Sequence, residues 1–189
     1  MNTYKELWTF LKSPVYLEDQ NTDSRYRSKT FVRLLFLALA ISMVLGMLIS
    51  ASENLIGLDL GKHAIEKAFE DYSLWVVFAL GIIVAPLMEE LIFRWPLYLF
   101  KDKSYFKAVF WVFTLLFGYI HLSNYAVTTS IVVFSLILVL PQILLGSILG
   151  FIRVRFGLSW AIALHAAYNL ILLGPILLMT ALDIPIPTE

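Results

Sequence analysis

Five stretches of this 189-residue chain are apolar for long enough to cross a lipid bilayer, and nothing else in the sequence constrains the fold as strongly. Each crossing needs roughly 20 residues of helix, and the stretches fall at 31–52, 73–100, 105–122, 127–152 and 157–181. In lipid every backbone N–H and C=O must be paired within the chain, so spans of this kind are helices. The expected fold is all-α: a polytopic transmembrane helix bundle of five spans with an N-terminal interfacial helix. The count becomes six if Pro141 splits the fourth span. Pro86 and Pro96 predict a kink or break in the long second span. With 60% hydrophobic and 15% charged residues and a mean hydropathy of +0.81, the chain belongs to the integral-membrane class.

Lysine and arginine set the expected orientation, because cytoplasmic loops retain them. Lys5, Lys12, Arg25, Arg27, Lys29 and Arg33 precede or open the first span, Lys101, Lys103 and Lys107 follow the second, and Arg153 and Arg155 follow the fourth. Five crossings put all three groups on one side, with only Lys62 and Lys67 opposite. The amino terminus is therefore expected in the cytoplasm and the tail "DIPIPTE" outside. The domain reading is a cytoplasmic segment at 1–30, a membrane domain at 31–181 and an external tail at 182–189. The first 30 residues are polar and basic, so no cleavable signal peptide is expected. Tyr4, Leu7, Trp8 and Leu11 recur at helical spacing, as in a helix lying on the inner leaflet. Compact size and sparse loops point to a bacterial inner (plasma) membrane. Membrane lipids are the expected surroundings, and a formal net charge of +0 gives no reason to expect nucleic acid as a partner. Absent cysteines exclude disulfides, thiolate catalysis and cysteine-bound metals.

Against this background the stretch "VAPLMEELIFRWPLY" stands out. It sets Glu89, Glu90 and Arg94 inside an apolar span, where a charge near the bilayer centre costs about 2.5–3.5 kcal/mol on insertion scales. At about 1.5 Å per helical residue, Glu89 lies about 18 Å from Lys101, His121 about 21 Å from Lys107 and His165 about 15 Å from Arg155. Three spans thus carry ionisable groups at nearly one depth, near the middle of a core about 30 Å thick. Such groups face one another or a wet cavity. Glu90 and Arg94 are spaced for an ion pair, and His165 and Asn169 share a helix face. Adjacent residues point about 100° apart, so Glu90 goes to Arg94 and Glu89 is left for the cavity.

Removed from water, a carboxylate holds its proton more tightly and becomes a better base near neutral pH. With an imidazole beside it, such a group activates water for attack on an amide, while a histidine and an asparagine on another helix donate to the oxyanion. Alternatively, Glu89, His121 and His165 supply the ligands of a divalent metal such as zinc with one position open. Both schemes are hydrolytic. The helical H-E-x-x-H and the G-x-S-x-G motifs are absent.

"EELIFR" (Glu89, Glu90, Arg94), "FGYIH" (Phe117, His121) and "HAAYN" (His165, Asn169) resemble, in order, the EExxxR, FxxxH and HxxxN motifs of the CPBP family, the CAAX protease and bacteriocin-processing or Abi proteins. The resemblance is to type II CAAX prenyl endopeptidase-like intramembrane proteases and covers about 73–175. It implies an endopeptidase acting on a membrane-associated peptide or protein. In it Glu89 and His121 activate water, His165 and Asn169 stabilise the oxyanion, and Glu90 and Arg94 support them. The cofactor stays open between a metal-free site and one that uses zinc. A second class fits the same residues: a non-catalytic membrane protein of immunity, scaffold or proton-coupled transport type, although no internal repeat of the kind transporters show is present. Phe117 is read as packing under His121, the pair Gly146 and Gly150 in "GSILG" as a helix-packing notch, and His63 as a solvated residue with no role. Thr128, Thr129, Ser130 and Ser135 are read as ordinary helix hydroxyls.

Overall fold

The computed structural model describes residues 2–56, 64–125, 128–182 and 184. The expectations for His63, Lys62 and most of the tail lie outside these residues. A short helix, α1 (Thr3–Lys12), opens the chain, followed by α2 (Ser24–Ile56) and α3 (Ala64–Asp71). The second crossing is assembled from α4 (Leu74–Phe78), a π-helical turn (Ala79–Val84), α5 (Ala85–Phe93) and a 3₁₀ segment (Trp95–Phe100). The chain continues through α6 (Phe106–Ile120), α7 (Thr129–Phe156) and α8 (Leu158–Ala181). No strand occurs among the described residues. Five helical stretches among them are long and apolar enough to cross a membrane: Ser24–Ser52, Leu74–Phe100, Phe106–Asn124, Thr129–Phe156 and Leu158–Ala181.

The prolines differ in what they do to the helices. α7 runs through Pro141 without a break, so the six-span alternative is not realised. One lost N–H is tolerated in a helix that neighbours pack around, here α2, α6 and α8. At Pro86 the expected kink takes the form of the π turn just ahead of it, and near Pro96 the expected break is found: the α-helix ends at Phe93 and the chain continues as 3₁₀.

α7 is the centre of the bundle. Leu145 through Val154 are all buried in sequence, as a helix apolar on every side requires. "GSILG" is indeed a notch: a Cβ at Gly150 would lie 2.5 Å from Cε2 of Phe110 on α6, inside any tolerable contact. The Phe110 ring occupies the space that glycine leaves.

α1 is capped by the Asn2 side chain, which accepts from the Tyr4 N–H at 3.1 Å. Its Leu7, Phe10 and Leu11 pack onto the core, while Tyr4 and Trp8 stay exposed on the other face. Residues 14–23 then form an extended strap across one end of the bundle. Tyr16 meets the rings of Tyr98 and Phe106 there, and the Asp19 N–H donates to the Arg155 carbonyl at 3.0 Å. The Arg155 guanidinium pairs with Glu6 at 2.8 Å and with Asp19. Arg153, buried, donates to the Tyr16 hydroxyl at 3.1 Å. The ends of the second, third and fourth crossings are thus gathered under one strap, and the two arginines counted as topological signals also fasten it. Beneath α1 a cleft of about 560 Å³, lined by Lys5, Glu6, Phe10, Leu17 and Arg155 among others, holds none of the acid and imidazole groups of the middle layer.

Asp19 reports on this strap. Burial acts to raise its carboxyl, but hydrogen bonds from the Arg155 guanidinium, the Asn21 N–H and the Tyr26 hydroxyl outweigh that and hold it below the ordinary carboxylate value. A depressed folded pKa contributes stability that is fully present above the unfolded value and is lost as pH falls through the folded one. Asp19→Asn is therefore expected to lower stability at pH 7 by about 1.5–3 kcal/mol, the worth of a charged hydrogen bond. Thermal unfolding in detergent measures it, with the gap to the unsubstituted protein narrowing as the pH is taken below 3.8.

Candidate active site

Glu89 and Glu90 are neighbours on α5 and, as helical geometry dictates, face different ways. Glu89 lines a cavity of about 460 Å³ together with His121, His165 and Asn169. Its Oε2 stands 3.9 Å from Nε2 of His121 and 3.7 Å from Nε2 of His165. Both separations are longer than a hydrogen bond and within the reach of one bridging water. Three crossings therefore bring their ionisable groups to one place.

Glu90 points into the protein and is fully buried. Its Oε1 lies 3.4 Å from Nη1 of Arg94 and 3.0 Å from Nδ1 of His165. The Arg94 contact is an ion pair without hydrogen-bond geometry, since Arg94 Nη1 and Glu90 Oε2 have no hydrogen-bond partner. Arg94 is held instead by the Gly146 carbonyl, to which Nη2 donates at 3.3 Å, and by the Phe117 ring, whose centroid is 3.8 Å from the guanidinium carbon. Gly146 has to be glycine: a Cβ there would meet Phe117 at 2.8 Å and Arg94 Nη2 at 3.1 Å. Phe117 also touches the rings of His121 and His165, at 4.9 and 5.7 Å between centroids. It does lie under His121, and it supports three polar side chains rather than one.

Both imidazoles are oriented from behind. The Phe117 carbonyl accepts from His121 Nδ1–H at 2.7 Å, leaving Nε2 toward Glu89. Glu90 holds Nδ1 of His165 in the same manner.

Asn169 is positioned by a backbone irregularity. Its Nδ2 donates to the Gly81 carbonyl at 2.8 Å. Gly81 sits in the π turn, where the Ala85 N–H bonds to Leu80 rather than to Gly81 as in an α-helix. The next candidate donor along a π register is residue 86, a proline with no N–H. The Gly81 carbonyl is thus without a helical donor, and the asparagine supplies one. Reading residue spacing alone missed this, as it missed the contact between Glu90 and His165; the signal was Pro86, which marks a missing donor. Gln142 was missed too. It follows Pro141 on α7, lines the cavity and leaves its buried Oε1 without a partner.

Among the described residues no group of three or more histidine, aspartate or glutamate side chains is arranged to hold a metal ion. A tetrahedral zinc with bonds of about 2.0–2.1 Å sets its ligand atoms about 3.4 Å apart. Glu89 Oε2 stands a few tenths of an ångström farther than that from each imidazole Nε2, at 3.9 Å from His121 and 3.7 Å from His165.

Fold and site together define an integral membrane helix bundle with an acid and imidazole cluster drawn from three crossings. A family model, Type II CAAX prenyl endopeptidase Rce1-like, matches residues 71–171, which is more than half of the chain and spans the whole cluster. The protein belongs to this Rce1-like family of CAAX-type intramembrane proteases, as the three motifs implied. No curated protein and no solved structure matches the chain.

The pairing of Glu90 with Arg94 has a measurable consequence. Glu90→Gln leaves a buried guanidinium uncompensated, for which a loss of about 3–5 kcal/mol is expected. Thermal unfolding in detergent reads it, and the double change Glu90→Gln with Arg94→Met, which removes both charges, is expected to regain part of the loss.

Proposed function

We propose that the protein is an intramembrane endopeptidase that hydrolyses a peptide bond of a membrane-associated peptide or protein with a water activated by Glu89 and His121. The observation that carries this reading is the placement of Glu89 Oε2 at 3.7 and 3.9 Å from two imidazole nitrogens that belong to two other crossings, in a shared cavity. Because His121 gives its Nδ1–H to the Phe117 carbonyl, Nε2 presents a lone pair. A water between that lone pair and the Glu89 carboxylate has acceptors for both hydrogens, and its own lone pair turns to the scissile carbonyl. As the oxygen attacks, Glu89 takes its proton, then passes it to the leaving amine when the C–N bond breaks.

The developing oxyanion is stabilised from the fifth crossing. Asn169 has a second N–H beyond the one given to Gly81, and His165 Nε2 donates when its ring carries the second proton. Glu90 and Arg94 do not touch the reacting atoms: Glu90 orients His165, and Arg94 balances Glu90. No step requires a metal.

The same reading places the protein in a bacterial inner membrane with its amino terminus in the cytoplasm, the membrane domain at 31–181 and the catalytic core at 73–175. Lysine and arginine gathered at one end of the bundle support that orientation.

The test is cleavage of internally quenched transmembrane peptides and a farnesylated CAAX peptide by the purified full chain in liposomes. Glu89→Gln and His121→Ala are each expected to lower kcat by about 10²–10⁴-fold, the worth of general base catalysis, and Asn169→Ala by about 10²–10³-fold. Unfolding midpoints should stay near that of the unsubstituted protein for Glu89→Gln, whose side chain is partly exposed. Equal cleavage by all three variants would remove the protease reading. Chelation is expected to leave the rate unchanged, and a loss that zinc restores would instead make Glu89, His121 and His165 ligands.

A further inference from the structure

The cavity extends to only one side of the catalytic layer. On the second crossing its lining runs from Glu89 back through Ala85, Gly81 and Val77 toward the start of the span, and includes nothing between Glu90 and Phe100. On the fifth it begins at His165 and continues to Asn169 and Leu173, with nothing from the Arg155 end. The third crossing contributes His121 and Asn124, and the fourth Gln142 and Leu145, each at or beyond the same layer. Toward the strap the floor is closed by Phe117, Arg94 and Leu149, all buried. The mouth is formed by Ala64 and Ala68 of α3 and by Tyr72, the last well exposed.

The mouth therefore lies at the end of the bundle opposite the strap. By position in the sequence, eleven of the 14 lysines and arginines belong to the strap end, Arg94 is inside, and Lys62 and Lys67 are at the other. Retention of basic residues in the cytoplasm makes the mouth the extracytoplasmic end.

Resting on the endopeptidase reading, we infer that the substrate is a membrane-anchored peptide segment presented from the extracytoplasmic face, threaded past α3 into the site, rather than a chain end delivered from the cytoplasm. About 460 Å³ accommodates a short extended stretch and not a folded domain, within the range of about 300–1,000 Å³ usual for small-ligand sites. Val77, Leu80, Leu145 and Leu172 make the walls apolar, so apolar side chains next to the scissile bond are favoured. Gln142 also lines this cavity, and its buried Oε1 has no partner.

The absence of cysteine makes the side of the mouth directly measurable. Ala68→Cys, Tyr72→Cys and Lys103→Cys, each in the full chain in intact bacterial cells, are treated with a charged, membrane-impermeant maleimide before and after the membrane is opened. Modification of Ala68→Cys and Tyr72→Cys before opening, and of Lys103→Cys only after, is the expected pattern. The reverse pattern, or no modification at either mouth position, overturns the inference. If Ala68→Cys does not accumulate, Tyr72→Cys decides alone. In liposomes, maleimide at Ala68→Cys should slow cleavage of the transmembrane peptide by about tenfold or more relative to the same variant unmodified, since a blocked approach prevents correct placement; an unchanged rate overturns the route. Labelling needs no proteolysis, so a wrong side and an absent protease activity are distinguishable failures.

Discussion

A guanidinium with no access to water governs the interior of this protein. Arg94 cannot be neutralised by losing its proton, so the surrounding structure must compensate it. Glu90 supplies the charge, Gly146 a carbonyl and Phe117 the face of a ring. Each of these partners has a second task. Glu90 holds His165, Phe117 supports both imidazoles, and Gly146 lets α6 and α7 approach closely enough for the ring to reach the cation. The apolar packing and the reactive cluster are therefore one arrangement, and the first cannot be altered around Arg94 without moving the second.

That arrangement also reaches the surface. The Arg94 backbone carbonyl accepts from Arg153 Nε at 3.2 Å, and Arg153 in turn donates to Tyr16 on the strap. Two side-chain contacts connect a segment outside the membrane to the residue beneath the cluster. The strap thus fixes the end of the second crossing as well as covering the bundle.

Much of this was legible in the sequence because a bilayer imposes strict demands. Five apolar runs of sufficient length could only be helices, and groups at equal depth on three of them had to meet something polar. The assignment of Glu89 and Glu90 to different faces followed from the angle between adjacent residues, and the structure places them on different faces. What spacing could not give was contact between spans. Nothing along the chain says that Glu90 reaches His165 as well as Arg94, or that Gln142 lines the cavity with its oxygen unpartnered. Pro141 shows the limit from the other direction: taken locally it is a helix breaker, yet α7 passes through it because three neighbours hold both halves in line.

The π turn at Ala79–Val84 has a consequence for how this second crossing can change. It accommodates one more residue per turn than its flanks, so it sets the rotation of everything after it relative to everything before it. Winding these same residues as ordinary α-helix, with none removed, would swing the carboxylate of Glu89 by about 100° about the axis, out of line with the imidazoles. The angular setting of Glu89 is thus fixed by how this turn is wound rather than by any contact the carboxylate itself makes.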